Sequence, residues 1–299
     1  MMFGKPCKNS SVKSILVVSL TNIGDVVLTC PVIDILLRDF ASANLSVIIG
    51  PKAASLFAGH PRITTIIYDK QRPLGGHIQW FLGLSRNRFD MIVDLRQSGL
   101  GLFLPCRWRT PLTVKPFDGH SRLKHLRRLE EIYPQPLLSG QRLAIIPKEV
   151  KVTWDASNYV VIAPGAADSA KRWDPAGFVK VADALAAQGH AIVFVGDTAD
   201  AGLVETIRGN MKKPSVSLAG KTDLRELAFV LQRAKFAITH DSGTMHLACY
   251  FDVPVVAVWG PTDVGKYGPW SSKAVVVYRD GKMSSITMED VLSAAAQVR

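Results

Sequence analysis

Short apolar runs, partly β-branched and bounded by turn residues, alternate along this chain with longer stretches whose apolar residues recur at helical spacing. The first pattern marks buried strands and the second amphipathic helices. Ser14–Leu20 predicts a strand. Asp25–Phe40 predicts a helix with Val26, Val27, Cys30, Ile33, Leu36, Leu37 and Phe40 on one stripe. Pro31 falls in or just after its first turn, where proline costs least. Leu45–Gly50, Thr64–Tyr68 and Asp90–Leu95 predict further strands, and Arg107–Thr113 a short one. Pro51–Ala58, Gly76–Arg86 and Ser121–Tyr133 predict helices, whereas Arg96–Leu104 is Gly-rich and follows neither period. Residues 134–157, rich in Pro, Gly and Lys, read as a linker. The alternation then restarts. Strands are predicted at Tyr159–Ala163, His190–Val195, Ser215–Leu218, Ala234–Thr239, Pro254–Trp259 and Ala274–Tyr278. Helices are predicted at Pro175–Gln188, Ala201–Asn210, Leu224–Arg233 (capped by Asp223) and Thr287–Val298. Strands and helices in turn are the mark of α/β domains with parallel sheets. The chain reads as two such domains, 1–150 and 151–299.

In parallel sheets the loops that follow the strands share one edge, where open α/β sheets bind ligands. Four loops of the second half qualify: Gly165–Trp173, Gly196–Asp200, Asp241–Thr244 and Gly260–Asp263. Asp241 stands at an expected helix N-cap, and Ser242, Gly243 and Thr244 fill the first turn, where N–H groups lack partners and anions bind. Lys171, beside a Gly-containing loop, suits a pyrophosphate; a solvated loop lysine is the plain alternative. No GxxxxGK[ST] and no GxGxxG after the first strand occur, so neither common phosphate fingerprint applies. In the first half, Asp25 either caps the helix that begins there or serves as a general base at the carboxyl edge. Two α/β domains whose carboxyl edges face each other across a cleft would suit transfer between two bound substrates.

Charge sharpens this picture. Residues 1–150 hold 20 Lys and Arg against 10 Asp and Glu, while 151–299 hold 16 against 15, so nearly all of the net charge of +11 lies in the first half. That half is expected to meet an anionic partner: nucleic acid, an anionic membrane surface or a phosphorylated glycan. No apolar run is long enough to span a bilayer, and SILVVSL is too short for a signal segment. A cytosolic chain is expected. Cys7, Cys30, Cys106 and Cys249 are scattered without CxxC spacing. Reduced thiols and no structural zinc are expected.

Three stretches carry a resemblance. NIGDVVLTCPVIDILL, PGAADSAKRW and THDSGTMHLACYFDVPVVAVWGPTD are similar to the signature regions of the bacterial heptosyltransferases of glycosyltransferase family 9. The resemblance implies a GT-B fold of two Rossmann-like domains with parallel sheets, often with the C-terminal helix crossing back onto the first. It implies a nucleotide-sugar donor, ADP-L-glycero-D-manno-heptose, held by the second domain, and an acceptor held by the first. Transfer would invert the anomeric centre, with no cofactor and no essential metal. Asp25 resembles the catalytic base and Lys171 the lysine that neutralises the leaving diphosphate. Asp241 resembles the acid that contacts the donor sugar. Ser242, Gly243, Thr244 and Met245 would offer helix-start N–H groups. His246 is either part of that motif or a packed structural histidine, and Asp197 is placed at the ribose. Ala166 and Ala167 depart from the pattern, since relatives often carry hydroxyl residues there. Arg96, Lys115, Arg122, Lys124, Arg127 and Arg128 would bind the carboxylates and phosphates of a lipopolysaccharide inner core, unless the basic helix face is only solvated.

The leading expectation is therefore an inverting heptosyltransferase at the cytoplasmic face of the inner membrane. A relative using another nucleotide sugar or acceptor is the second reading. A non-catalytic nucleotide-sugar or nucleic-acid binder is the third. Nucleic acid is disfavoured because the basic stretch lacks interleaved aromatics and matches no nucleic-acid module.

Overall fold

The structure is a computed structural model that describes residues 12–113, 116–133, 140–152 and 154–298. It divides into two compact units, Met1–Ile146 and Pro147–Arg299, so the boundary falls inside the expected linker.

In the first unit, strands β1 (Ser14–Val18), β2 (Asn44–Ile49), β3 (Ile63–Ile67), β4 (Met91–Asp94) and β5 (Trp108–Arg109) form one sheet in the order β3-β2-β1-β4-β5. Every pairing in it is parallel. β1 and β4 are apolar without alternation because both sheet faces are covered. Helix α1 (Ile23–Asp39) is buried from Val26 to Leu37 but for Pro31. It starts two residues earlier than its periodicity suggests, so Pro31, expected in or just after the first turn, is the ninth residue and lies inside the helix. There the ring removes one helical N–H. The buried Asp34 carboxylate accepts the N–H groups of Leu143 and Ala144, each at 2.8 Å, and fastens the end of the unit to α1. Pro51–Phe57 forms a 3-10 helix. Helices α2 (Leu74–Ser85) and α3 (Ser121–Glu130) complete this unit.

The second unit has a six-stranded sheet of β6 (Tyr159–Ala163), β7 (Ala191–Phe194), β8 (Val216–Ser217), β9 (Phe236–His240), β10 (Val255–Trp259) and β11 (Ala274–Tyr278). Its order is β11-β10-β9-β6-β7-β8 and its pairings are parallel throughout. Helices α4 (Pro175–Ala187), α5 (Ala201–Asn210), α6 (Leu224–Arg233), α7 (Gly243–Tyr250), α8 (Val264–Tyr267) and α9 (Met288–Gln297) connect and cover it. Asp223 caps α6 in a reciprocal box with Glu226, as its position predicts. α9 belongs to this unit: its Val291, Ala294 and Ala295 are buried in the core with Phe178 and Val256, and its apolar face is used there.

The strand order turns at β1/β4 in the first sheet and at β6/β9 in the second. Both are topological switch points, where neighbouring connections leave in opposite directions and open a crevice at the carboxyl edge.

Candidate active site

At the second switch point the loop after β6 meets the loop after β9. Lys171 Nζ lies 2.6 Å from Asp241 Oδ2; the lysine is 27% exposed and the aspartate 8%. The two residues singled out from separate stretches are thus ion-paired. Asp241 is not the helix cap. Ser242 holds that position, and it makes no side-chain cap bond. The Ser242 hydroxyl is buried and meets no protein partner among the described residues. The first bond of α7 runs from His246 N–H to Ser242 O, so the N–H groups of Gly243, Thr244 and Met245 precede it and have no acceptor within the helix. This helix start offers an anion a hydroxyl and three amides, with a lysine beside them.

The Lys171 segment is held residue by residue. Arg172 Nε donates to Ala166 O at 2.8 Å. Trp173 N–H donates to His240 Nε2 at 2.9 Å, and the Trp173 indole donates to Ile286 O. His240 is fully buried, and burial pushes its pKa down to about 4, with the Arg172 charge adding to the effect. The ring is therefore neutral, accepts at Nε2 and turns Nδ1–H toward Gly165 O. His240 and Arg172 were not singled out from the sequence. A histidine at the end of an apolar strand gives no periodic signal, and its role exists only once β6 lies beside β9.

Asp197 is exposed and caps a 3-10 turn, Thr198–Asp200, by accepting the N–H groups of Ala199 and Asp200. The nearby Asp200 is the more enclosed acid. Burial raises its pKa, opposed in part by the Asp197 N–H bond and the Arg172 charge. A Cβ at Gly165 would fall 2.2 Å from its carboxyl group, so Gly165 is the residue that admits it. His246 and Met245 have buried side chains. What Met245 offers the helix start is its backbone N–H.

At the first switch point, Asp25 lies in the first turn of α1 and is half-buried. It does not cap the helix: Asn22 is the N-cap, and its amide donates to Asp25 Oδ2 at 3.0 Å. Two features fix this turn. Ser19 Oγ and Thr29 Oγ1 are 2.8 Å apart, and Thr29 donates to Val26 O, pinning the end of β1 to α1. Gly50, after β2, packs so closely that a Cβ would sit 2.4 Å from Thr21 O.

At the end of β4, Asp94 organises the stretch that showed no period. Its carboxylate accepts Arg96 N–H, Ser98 hydroxyl and Gly99 N–H. Gln97 and Gly99 take positive φ angles of 59° and 73°. The loop aims Arg96 over the Tyr68 ring, 5.2 Å from its centroid. Arg96, Tyr68, His77, Trp80 and Phe81 help line a cavity of about 690 Å³ at the carboxyl edge of the first sheet. Arg96 was expected at an acceptor site; the aromatic walls were not.

The basic helix α3 divides. Arg127 is exposed and stacks on Phe117, 4.4 Å from its centroid, and Lys124 is half-buried. Arg122 is half-buried near the start of α3. Arg128 is a correction: it is 2% exposed and its guanidinium bonds Glu131, Pro111 O and Asp94 O. It braces β4 from within and is not available to a ligand. Helical spacing put it with its basic neighbours, but it lies on the inward side with Leu129. Lys115 lies outside the described residues.

Known proteins resemble this chain. The sequence pattern described as glycosyltransferase family 9 (heptosyltransferase) matches residues 133–295. Lipopolysaccharide heptosyltransferase 3 of Escherichia coli is 27% identical over 288 residues, covering 84% of this chain and 85% of its own. Among solved structures, a family 9 glycosyltransferase of Veillonella parvula superposes with a TM-score of 0.82 at 22% identity, over 98% of each chain. Escherichia coli heptosyltransferase WaaC with ADP superposes with a TM-score of 0.79 at 18% identity, over 96% of this chain and 100% of that one. The two parallel-sheet units are those of the GT-B fold, and the chain belongs to glycosyltransferase family 9.

Proposed function

We propose that this glycosyltransferase moves a heptose from ADP-heptose to a sugar hydroxyl of a lipopolysaccharide inner core. The observation that carries the reading is the second switch point: a lysine–aspartate pair beside an open helix start with an unpartnered serine hydroxyl. That arrangement suits a nucleoside diphosphate whose sugar carries hydroxyls. Lys171 and the amides of Gly243, Thr244 and Met245 take the diphosphate, and Asp241 takes the sugar. Asp197 or the more enclosed Asp200 takes the ribose. ADP is favoured because a structural neighbour is described with ADP and a second with an ADP-heptose analogue. A lipopolysaccharide acceptor is favoured by the relatives' described substrates.

In the reaction the acceptor oxygen attacks the anomeric carbon from the face opposite the diphosphate. The bond from that carbon to the phosphate oxygen breaks, and ADP leaves with the electron pair. Asp25 receives the hydroxyl proton, and the anomeric configuration inverts. Negative charge grows on the leaving diphosphate, where Lys171 and the α7 amides meet it. These groups supply the positive charge that a divalent cation provides in other diphosphate sites, so transfer proceeds without an essential metal. The aromatic cavity with Arg96 suits an acidic sugar of the acceptor: flat rings for its apolar face and a cation for its carboxylate or phosphate.

The test is calorimetric titration with ADP, UDP, GDP and ADP-heptose, on the native protein and Lys171→Ala. ADP should bind in preference to the others, ADP-heptose more tightly still, and Lys171→Ala should weaken both. Preference for another nucleotide would keep the inverting chemistry and discard ADP-heptose. Unchanged affinity in Lys171→Ala would remove the lysine from the diphosphate site.

A further inference from the structure

Helix α2, LGGHIQWFLGLS, carries no charged residue, yet it lies at the surface. Leu74 is 77% exposed, and Ile78 and Leu82 are 53% exposed each. At spacings of four they form a single outward stripe. The other side of the helix is apolar as well, with Leu84 buried and Trp80 and Phe81 packed on the core. A helix that is uncharged and apolar on both its inner and outer sides, with Gln79 its one exposed polar residue, ordinarily has the outer side covered as well. Phe103 extends the stripe: it is 71% exposed, and its ring stands edge-on to Phe81 with centroids 6.4 Å apart.

The rim of this patch is positive. Lys70 and Arg72 precede the helix, and Arg86 and Arg88 follow it; all but the half-buried Arg72 are exposed. The carboxylates of the same stretch are turned to backbone. Asp69 accepts the Gln71 N–H, and Asp90 accepts the N–H groups of Lys13 and Ser14. Exposed aliphatic and aromatic side chains flanked by cations at both ends of the helix match a bilayer interface. There, apolar groups enter the boundary of the acyl chains while lysine and arginine meet anionic headgroups. A second copy is a poorer occupant, because a symmetric contact would gather two positive rims around one small patch.

We propose that α2 and the turn bearing Phe103 are a membrane-docking face that seats the first unit on an anionic phospholipid surface. The proposal rests on the reading of the acceptor as a membrane-anchored glycolipid. It adds the surface by which the enzyme reaches it. The opposite side of α2 lines the aromatic cavity through His77, Trp80 and Phe81. One helix thus borders both the lipid and the place where the acceptor sugar binds.

The experiment is co-sedimentation of the full chain with phosphatidylcholine vesicles, with and without phosphatidylglycerol. Binding should require phosphatidylglycerol and weaken with salt. Leu74→Ser/Ile78→Ser/Leu82→Ser should lower partitioning by about tenfold or more, since these side chains supply most of the apolar contact. Its thermal midpoint and ADP affinity should stay unchanged. Arg86→Glu/Arg88→Glu, which leaves the apolar stripe intact, should also lower partitioning. Absence of vesicle binding by the native chain, or binding by both variants at the native level, overturns the proposal. So does a concentration-dependent dimer, seen by light scattering, that the triple variant abolishes. ADP affinity measured on the same samples separates the two readings. A chain that binds ADP and no vesicles overturns docking alone, whereas vesicle binding without ADP binding overturns the donor assignment.

Discussion

Asp25 and His240 show how differently single residues announce themselves. Asp25 stood out in the sequence because a Gly-Asp pair after a strand has few uses. The structure removes one of them, since Asn22 caps the helix. As the base, Asp25 should be replaceable by Asn with ADP affinity kept within about threefold and turnover cut about 100-fold or more, the scale of a lost proton acceptor. Steady-state kinetics alongside calorimetry decides it; near-normal turnover in a folded variant sinks the assignment. His240 looked like one more strand residue. Its pKa near 4 makes it a pH-dependent brace. Between pH 6.5 and about 4 the unfolded chain holds a proton that the folded ring refuses, so the unfolded state binds more protons in that window. Stability present at neutral pH is therefore lost as pH falls through it, by up to about 3 kcal/mol. His125, buried in α3 and also near 4, gives the first unit a slope of the same sign. Denaturant midpoints of the second unit's transition, measured from pH 7 to pH 4.5, should fall less steeply in His240→Gln, which cannot take up the proton.

At the scale of elements, periodicity located nearly every strand and helix because the core is made of uninterrupted apolar runs. What it missed has local causes. The loop after β4 has no period because its shape comes from one carboxylate, Asp94, gathering Arg96, Ser98 and Gly99. Helix α2 begins at Leu74, two residues before its expected start, because Pro73 at the N-cap sets the extended entry and the following glycines do not stop it. Arg128 was misjudged because a helix has two sides, and a basic run around it does not say which is buried. Close approach between elements was also invisible. Gly50→Ala places a methyl group against Thr21 O and must shift the turn that opens α1. Turnover should fall about tenfold or more, since small misplacement of a reacting group is costly. ADP affinity, which the proposed function assigns to the second unit, should hold. Loss of both together would mean that the substitution acts on folding and not on the position of Asp25.

At the scale of the whole molecule, the two-domain reading was legible from a restart of the alternation after a linker. The strand orders were not, because sequence gives succession and not adjacency. Yet they explain why the candidate residues cluster: Lys171 and Asp241, 70 positions apart, meet because β6 and β9 are neighbours at a switch point. That pairing is made entirely within residues 147–299. So is a core running from Val160 and Phe178 through Phe236 and Val256 to Val291 and Ala295. A unit of this size with its own core is large enough to fold alone. The fragment 147–299 should therefore give a cooperative thermal transition and, on the proposed assignment, bind ADP within about threefold of the full chain, with no transfer activity because the first unit and its proposed base Asp25 are absent. Ending it at residue 287 removes α9 and its buried Val291, Ala294 and Ala295, uncovering β10 and β11. Losing several buried aliphatic groups at once costs several kcal/mol, on the order of a domain's whole stability. The shorter fragment should show no such transition. A shorter fragment that still melts cooperatively would mean that α9 is an appendage of this unit; a longer one that folds without binding ADP would place part of the donor site outside it.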